Sequence, residues 1–166
     1  EKEKKLSSVI TLLNDALGDR FSHYPNLPRE ARIRALNQEL APITERITQA
    51  FPGIGAGYYH KALDAIITYA PSALYQGNVG ITITEDHPGR EVMSSNAPVV
   101  YSGRQVRGDI LNSMIPIARQ GEVIGYIWAN ELTEDIRQQA WKMDVRIIAV
   151  LVAGLICSLL LIVHFS

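Results

Sequence analysis

Residues 110–129 read ILNSMIPIARQGEVIGYIWA, and this stretch decides the architecture. Two apolar runs, Ile110–Ala118 and Val123–Ala129, flank the short polar link Arg119-Gln120-Gly121-Glu122. Apolar runs of this length bounded by turn residues are strands. So short a link containing Gly closes a hairpin, which makes the two strands antiparallel. Working upstream, the same texture predicts strands over Ile54–His60, Leu63–Tyr69 and Val99–Tyr101. Most of the 12 Gly and 8 Pro residues fall between residues 52 and 130. Within that region Gly53-Ile54-Gly55-Ala56-Gly57 lacks the GxGxxG spacing, and Tyr58-Tyr59-His60 follow where a dinucleotide fold would start a helix. It reads as a strand that other groups approach closely. The segment Asp86–Met93 reads as a turn and one helical turn.

Further upstream, residues 1–51 carry a helical period. Leu6, Val9, Leu13, Ala16 and Leu17 recur at three- and four-residue spacing, and Gly18 is a plausible stop. Pro28 stands where a first helical residue should. Ile33, Leu36, Leu40, Ile43, Ile47 and Ala50 then form an a/d stripe, with Pro42 expected to kink it. Two readings of that stripe stay open: a helix packed on its own domain, or the seam of a homodimer.

Downstream of the hairpin, Asn130 is positioned to cap a helix whose first turn carries Glu131, Glu134 and Asp135. That helix, 131–144, runs without Gly or Pro into a segment, 145–165, that is charge-free from Ile147 to Val163. At ~1.5 Å per residue the charge-free run covers ~25 Å, enough for a short transmembrane helix with Arg146 snorkelling at one end. The expected organisation is thus four segments: helices over 1–51, a sheet over 52–130, a juxtamembrane helix over 131–144 and a transmembrane helix over 145–165.

The whole chain has 166 residues, 47% apolar and 20% charged, with a formal net charge of −1. No cationic excess exists for binding nucleic acid. The single Cys, Cys157, excludes an internal disulfide framework and a thiolate metal cage. The four His residues show no helical ligand spacing, although His60 and His87 could converge in space as haem or metal ligands. No nucleophile elbow and no catalytic carboxylate pair is legible, so no catalytic residue is assigned. What remains is a group of cations and hydroxyls: His87, Arg90, Tyr101, Arg104 and Arg107, with Tyr58, Tyr59, His60 and Tyr69 on the first hairpin. Guanidinium forks match carboxylates, and Tyr or His supply further hydrogen bonds. Arg104 reads as a solvated loop residue, whereas Arg107, just before Gly108 and the strand at Ile110, reads as facing a pocket mouth.

The order of these elements resembles the single-Cache, PAS-like extracytoplasmic sensor domains of bacterial sensor histidine kinases of the citrate and dicarboxylate type. His87-Pro88 matches their His-Pro turn, and Gln105-Val106-Arg107 their small-x-Arg step at a strand start. Ile115-Pro116-Ile117 and Gly121-Glu122-Val123-Ile124-Gly125 match the next two elements, over about residues 52–163. The resemblance implies an α+β fold with a central antiparallel sheet, N-terminal helices and a pocket on one sheet face. By the same resemblance Arg107 grips a ligand carboxylate and His87 lines the pocket; the group of cations and hydroxyls adds Arg90, Tyr101, Tyr59 and His60 as further ligand-binding candidates. It also implies a first membrane span before residue 1, a sensor part outside the cell membrane, and a kinase core after residue 166; the a/d stripe adds the expectation of a homodimer through the N-terminal helices. The cofactors, ATP and Mg, and the response-regulator partner would belong to that core, and none to this segment. The sequence alone leaves three rivals: the same sensor on a chemoreceptor or cyclic-dinucleotide enzyme, a tail-anchored cytoplasmic binding protein, and a haem or metal redox sensor.

Overall fold

Leu6, Val9, Ile10, Leu13 and Leu17 all fall on one face of α1 (Lys2–Leu17) and are buried there. The computed structural model describes residues 2–133, 148 and 150–152. The chain divides into two units, Glu1–Leu132 and Thr133–Ser166, and the following concerns the first. Gly18, at φ +53°, ends α1 in the left-handed conformation that a residue with Cβ adopts only at a cost. A short 3-10 turn (Arg20–Ser22) leads to α2 (Arg29–Gln49), which begins one residue after Pro28 and continues through Pro42 without a break. Ile33, Leu36 and Leu40 are buried, so the a/d stripe packs on the unit's own core.

The sheet then follows: β1 (Ile54–His60), β2 (Ala65–Ala70), β3 (Val99–Gln105), β4 (Gly108–Arg119) and β5 (Glu122–Leu132). Two helices, α3 (Ser72–Tyr75) and α4 (Pro88–Ser95), lie in the long connection between β2 and β3. The strand order is β2-β1-β5-β4-β3, every neighbouring pair antiparallel. The β4–β5 link tightens to Gln120-Gly121, both at positive φ, the conformation of a type I′ hairpin turn.

Because strand side chains alternate, the register divides the sheet into two faces. Tyr58, His60, Ile67, Ile117, Ile127 and Ala129 face α1 and α2. Tyr59, Tyr69, Met114, Tyr126 and Trp128 face α4 and the residue 76–87 connection. A bulge in β2, opposite Tyr58 and Tyr59, lets both Ile66 and Tyr69 serve this second face despite their odd spacing.

The structure corrects the expectations for Asn130, for β3 and for α4. Asn130 is not a helix cap: it lies inside β5, paired with Gly55 and Asn112, because β1 and β4 offer partners on both sides and extend the ladder to Leu132. The sheet region therefore extends past residue 130. β3 is seven residues long, held by β4 as far as Gln105 despite the polar run Ser102–Gln105, and α4 makes two turns instead of one. The proposed juxtamembrane and transmembrane helices fall almost wholly outside the described residues, among which no helix is long and apolar enough to cross a membrane.

The Gly53–Gly57 reading holds in atomic detail. A Cβ on Gly55 would stand 2.7 Å from the Arg107 guanidinium, and one on Gly57 would sit 2.5 Å from the Trp128 ring and press on the Thr68 carbonyl. Overpacking of this kind costs about 1–3 kcal/mol, more where backbone must move. Gly57→Ala is expected to lower unfolding free energy by about 3 kcal/mol in urea titrations; an unchanged midpoint would contradict this packing.

Candidate ligand-binding site

The second sheet face holds a cavity of about 280 Å³. Its floor is Tyr69 from β2, Asn112 from β4, and Tyr126 and Trp128 from β5. Its roof is the stretch Ile81–Thr84, and its rim is His87 with Arg104, Gln105 and Val106 at the end of β3. Tyr69 and Trp128 meet edge to face at 5.3 Å between ring centroids, and Tyr126 stacks on Tyr59 at 5.2 Å. Burial pushes the Tyr69 phenol up to about 12, and it raises Tyr126 as well, so both remain neutral hydrogen-bonding groups. Among the described residues no Asp or Glu lines the cavity, and Arg104 is the only Lys or Arg that does.

The roof is pinned from below. Arg90 donates to the Ile83 carbonyl at 2.8 Å and to Thr82 Oγ1 at 3.2 Å, and pairs with Asp64 at 3.0 Å. The Tyr59 hydroxyl donates to Asp64, which holds that carboxyl below its ordinary range. The Ile66 amide donates to the Ile81 carbonyl, and the Gly80 amide to the Ile66 carbonyl, fastening the roof along the edge of β2.

His87 caps α4: its Nδ1 accepts the Gly89 amide at 2.9 Å, and Pro88 needs no acceptor at the first helical position. Burial, and then the charge of Arg90, keep this imidazole below its usual range and therefore neutral. Gln105 bridges the rim to the floor, one end of its amide 3.4 Å from His87 Nε2 and the other 3.2 Å from the Asn112 amide.

The candidates from the sequence separate. His87 lines the cavity. Tyr59 and Arg90 stand behind it, holding its wall and roof. Tyr101 lies on the same face but does not line it, its ring beside Gly103. His60 is on the opposite face, because β1 sends successive residues to opposite sides. Its Nδ1 accepts the Leu63 amide and its Nε2 donates to the Phe21 carbonyl at 3.2 Å, so it cannot meet His87. Arg107 is the largest departure. Its guanidinium donates to Asn130 Oδ1 at 2.8 Å, to the Asn130 carbonyl at 3.1 Å, to the Gly53 carbonyl at 3.2 Å and to the Tyr75 hydroxyl at 3.3 Å. Arg104, read as a solvated loop residue, is exposed, as that reading expects; it lies on β3 opposite Asp109 in the register and borders the cavity rim. Trp128, Tyr126 and Asn112 were missed, although aromatics two apart on a central strand signal one shared face.

A larger groove of about 940 Å³ lies beside the β4–β5 turn. Its arginines are committed to backbone, Arg32 to the Phe21 and His23 carbonyls and Arg119 to the Gly18 carbonyl, and Asp19 and Glu122 oppose them.

Residues 1–138 match the AtoS N-terminal domain family. The chain belongs to that family. Over all 166 residues it is 80% identical to the signal transduction histidine-protein kinase AtoS of Escherichia coli strain K12, and it spans 27% of that protein's length. Among solved structures it is similar to the E. coli DcuS sensor domain, with 13% identity, a TM-score of 0.49, and coverage of 80% of this chain and 98% of that one. It is also similar to the sensory domain of the Campylobacter jejuni chemoreceptor Tlp3 with isoleucine bound: 12% identity, TM-score 0.46, 81% of this chain and 61% of that one. The resemblance to a histidine-kinase sensor region is upheld by the family match.

Two outcomes follow from the geometry. Arg107→Met strands the Asn130 and Gly53 acceptors and is expected to cost about 2 kcal/mol in urea unfolding; an undiminished midpoint would mean these bonds add nothing. Burial lowers His60 to about 4. The neutral ring is the folded form, so its contribution is complete above the unfolded value of ~6.5 and drains away as pH falls toward 4. The stability lost between pH 7.5 and 4.5 is expected to be about 3 kcal/mol greater in the wild type than in His60→Gln.

Proposed function

We propose that this chain is the ligand-sensing region of a sensor histidine kinase and that the cavity on the second sheet face takes a small anion, a carboxylate above all. The observation that carries the reading is the make-up of that cavity: Arg104 among the residues at its rim, no carboxylate among the described residues that line it, and buried aromatics for an apolar body. An ammonium group would find no counter-charge there, whereas a carboxylate finds one and leaves no buried acid unpaired. The volume suits a molecule of a few heavy atoms.

Signal output is proposed as follows. Tyr126 and Trp128 form part of the cavity floor, and β5 ends at Leu132, one residue before the chain enters its second unit. A ligand that favours one placement of β5 shifts the population of whatever follows it. The charge-free run Ile147–Val163 then crosses the membrane, with residues 1–144 outside the cell. The kinase core, using ATP and Mg, and a response regulator complete the pathway on the inner side, in a homodimer. The 80% identity to a histidine-protein kinase supports this output over a chemoreceptor or a cyclic-dinucleotide enzyme.

The test is a thermal-shift screen of the purified chain against small mono- and dicarboxylates and amino acids. A ligand at a hundred times its Kd adds about 2.7 kcal/mol, which raises Tm by several degrees. Arg104→Ala is expected to weaken the best carboxylate at least tenfold while leaving the ligand-free Tm in place. Stabilisation by amines alone, or an unchanged affinity in Arg104→Ala, would overturn the anion assignment.

A further inference from the structure

Asn112 is 1% exposed, lines the cavity floor, and the outer atom of its side-chain amide, placed as Oδ1, has no partner among the described residues. A buried polar atom left unpaired costs about 1–3 kcal/mol, so its presence in a cavity wall points to a partner brought by the ligand. Whether that atom is a donor or an acceptor decides what the ligand must offer there. Side-chain amides can turn over by 180°, so the answer comes from the network that holds them.

The network starts at a fixed point. The Gly89 amide is a backbone donor that cannot reverse, and it is accepted by His87 Nδ1 at 2.9 Å. A neutral imidazole has one acceptor nitrogen and one N–H, so the proton of His87 is on Nε2. The Gln105 amide lies 3.4 Å from that N–H and must turn its oxygen toward it. The structure places Gln105 Nε2 toward His87 and Asn112 Nδ2 as donor to Gln105 Oε1 at 3.2 Å; turning the Gln105 amide puts its NH2 at that contact, so the Asn112 amide turns with it and accepts through its own oxygen. The unpartnered end of Asn112 is therefore its NH2.

We propose that Asn112 donates the hydrogen bond that recognises an acceptor atom on the ligand, and that His87 sets this polarity through Gln105. The proposal rests on the carboxylate reading above and deepens it. Arg104 borders the rim, and Asn112 supplies a directed donor at the floor. His87 and Gln105 are positioning residues, since they act through Asn112. The site thereby favours an oxygen that only accepts and disfavours a donor group of the same shape.

The test uses the purified chain, labelled with nitrogen-15, and two probes of one shape and opposite polarity, butyrate and n-butylammonium. Long-range proton–nitrogen spectra report the His87 tautomer without any ligand: protonated Nε2 with bare Nδ1 is expected, and the reverse tautomer overturns the proposal. Butyrate is expected to move the Asn112 side-chain NH2 resonances and to lose at least tenfold in affinity in Asn112→Leu. Gln105→Met frees the Asn112 amide to turn and is expected to weaken butyrate about threefold, with the ligand-free Tm lowered because Asn112 and His87 Nε2 lose a partner. Butyrate bound equally well by the wild type and both variants, with the Asn112 NH2 signals unmoved, overturns the relay and leaves the carboxylate reading standing. A wild type that binds n-butylammonium and not butyrate, or neither probe, overturns both.

Discussion

The constraint on which the rest depends is that β5 is paired on both sides along nearly its whole length, with β1 on one edge and β4 on the other. A strand held in two ladders cannot slip by one residue without sending every side chain to the wrong face. That fixes Tyr126, Trp128 and Asn130 on the cavity side and Ile127, Ala129 and Glu131 on the other. The cavity therefore has a floor whose position is set by backbone hydrogen bonds. Its roof, Ile81–Thr84, is loop, held by Arg90 and by the edge of β2. A rigid floor under a side-chain-anchored roof is an arrangement in which ligand contacts can change the roof cheaply and the floor only in concert with both neighbouring strands.

Glycine makes that floor possible. Gly55 and Gly57 sit opposite Asn130 and Trp128 in the register, and each supplies the space that a larger cross-strand partner would fill. Gly57 accepts the indole, and Gly55 accepts the Arg107 guanidinium. Both weaken strand propensity, and in an exposed edge strand they would be a liability. Here β1 lies between β2 and β5, so the ladders on either side offset what the residues lack.

The strands and helices were legible because their signals are local: alternation, caps, Gly and Pro at turns. The β4–β5 hairpin announces itself in Gln120-Gly121, and α4 in His87-Pro88. The errors have one origin, in that they turn on partners distant in sequence. Asn130, followed by Glu131, Glu134 and Asp135, has the local grammar of a helix start, and only β1 and β4 reveal it as strand. Arg104 and Arg107 are indistinguishable by composition. Gly55, 52 residues upstream, leaves the space that Arg107 takes, so Arg104 is the one left at the cavity. His60 and Tyr59 are neighbours in the chain, and strand parity alone puts them on opposite faces. Parity was readable from the sequence, and applied strictly it would have separated them.

The end of β5 shows how tightly this end of the strand is tied to the N-terminal helix. Asn130 and Glu131 point to opposite faces, and each is gripped by a cation from another element. Arg107 holds Asn130 from the β3–β4 turn, and Lys5 of α1 reaches Glu131 Oε1 at 3.1 Å and the Pro52 carbonyl at 3.2 Å. Glu131 is 3% exposed and among the described residues its second oxygen has no partner, so Lys5 is the cation that compensates there for burying that charge. Removing the cation paired with a buried carboxylate is far costlier than breaking a surface pair. A displacement of β5 that left α1 behind would meet that cost at once, whereas one that carried α1 along would not. The first and last elements of this unit are therefore joined by an ion pair that any separation of β5 from α1 would have to break.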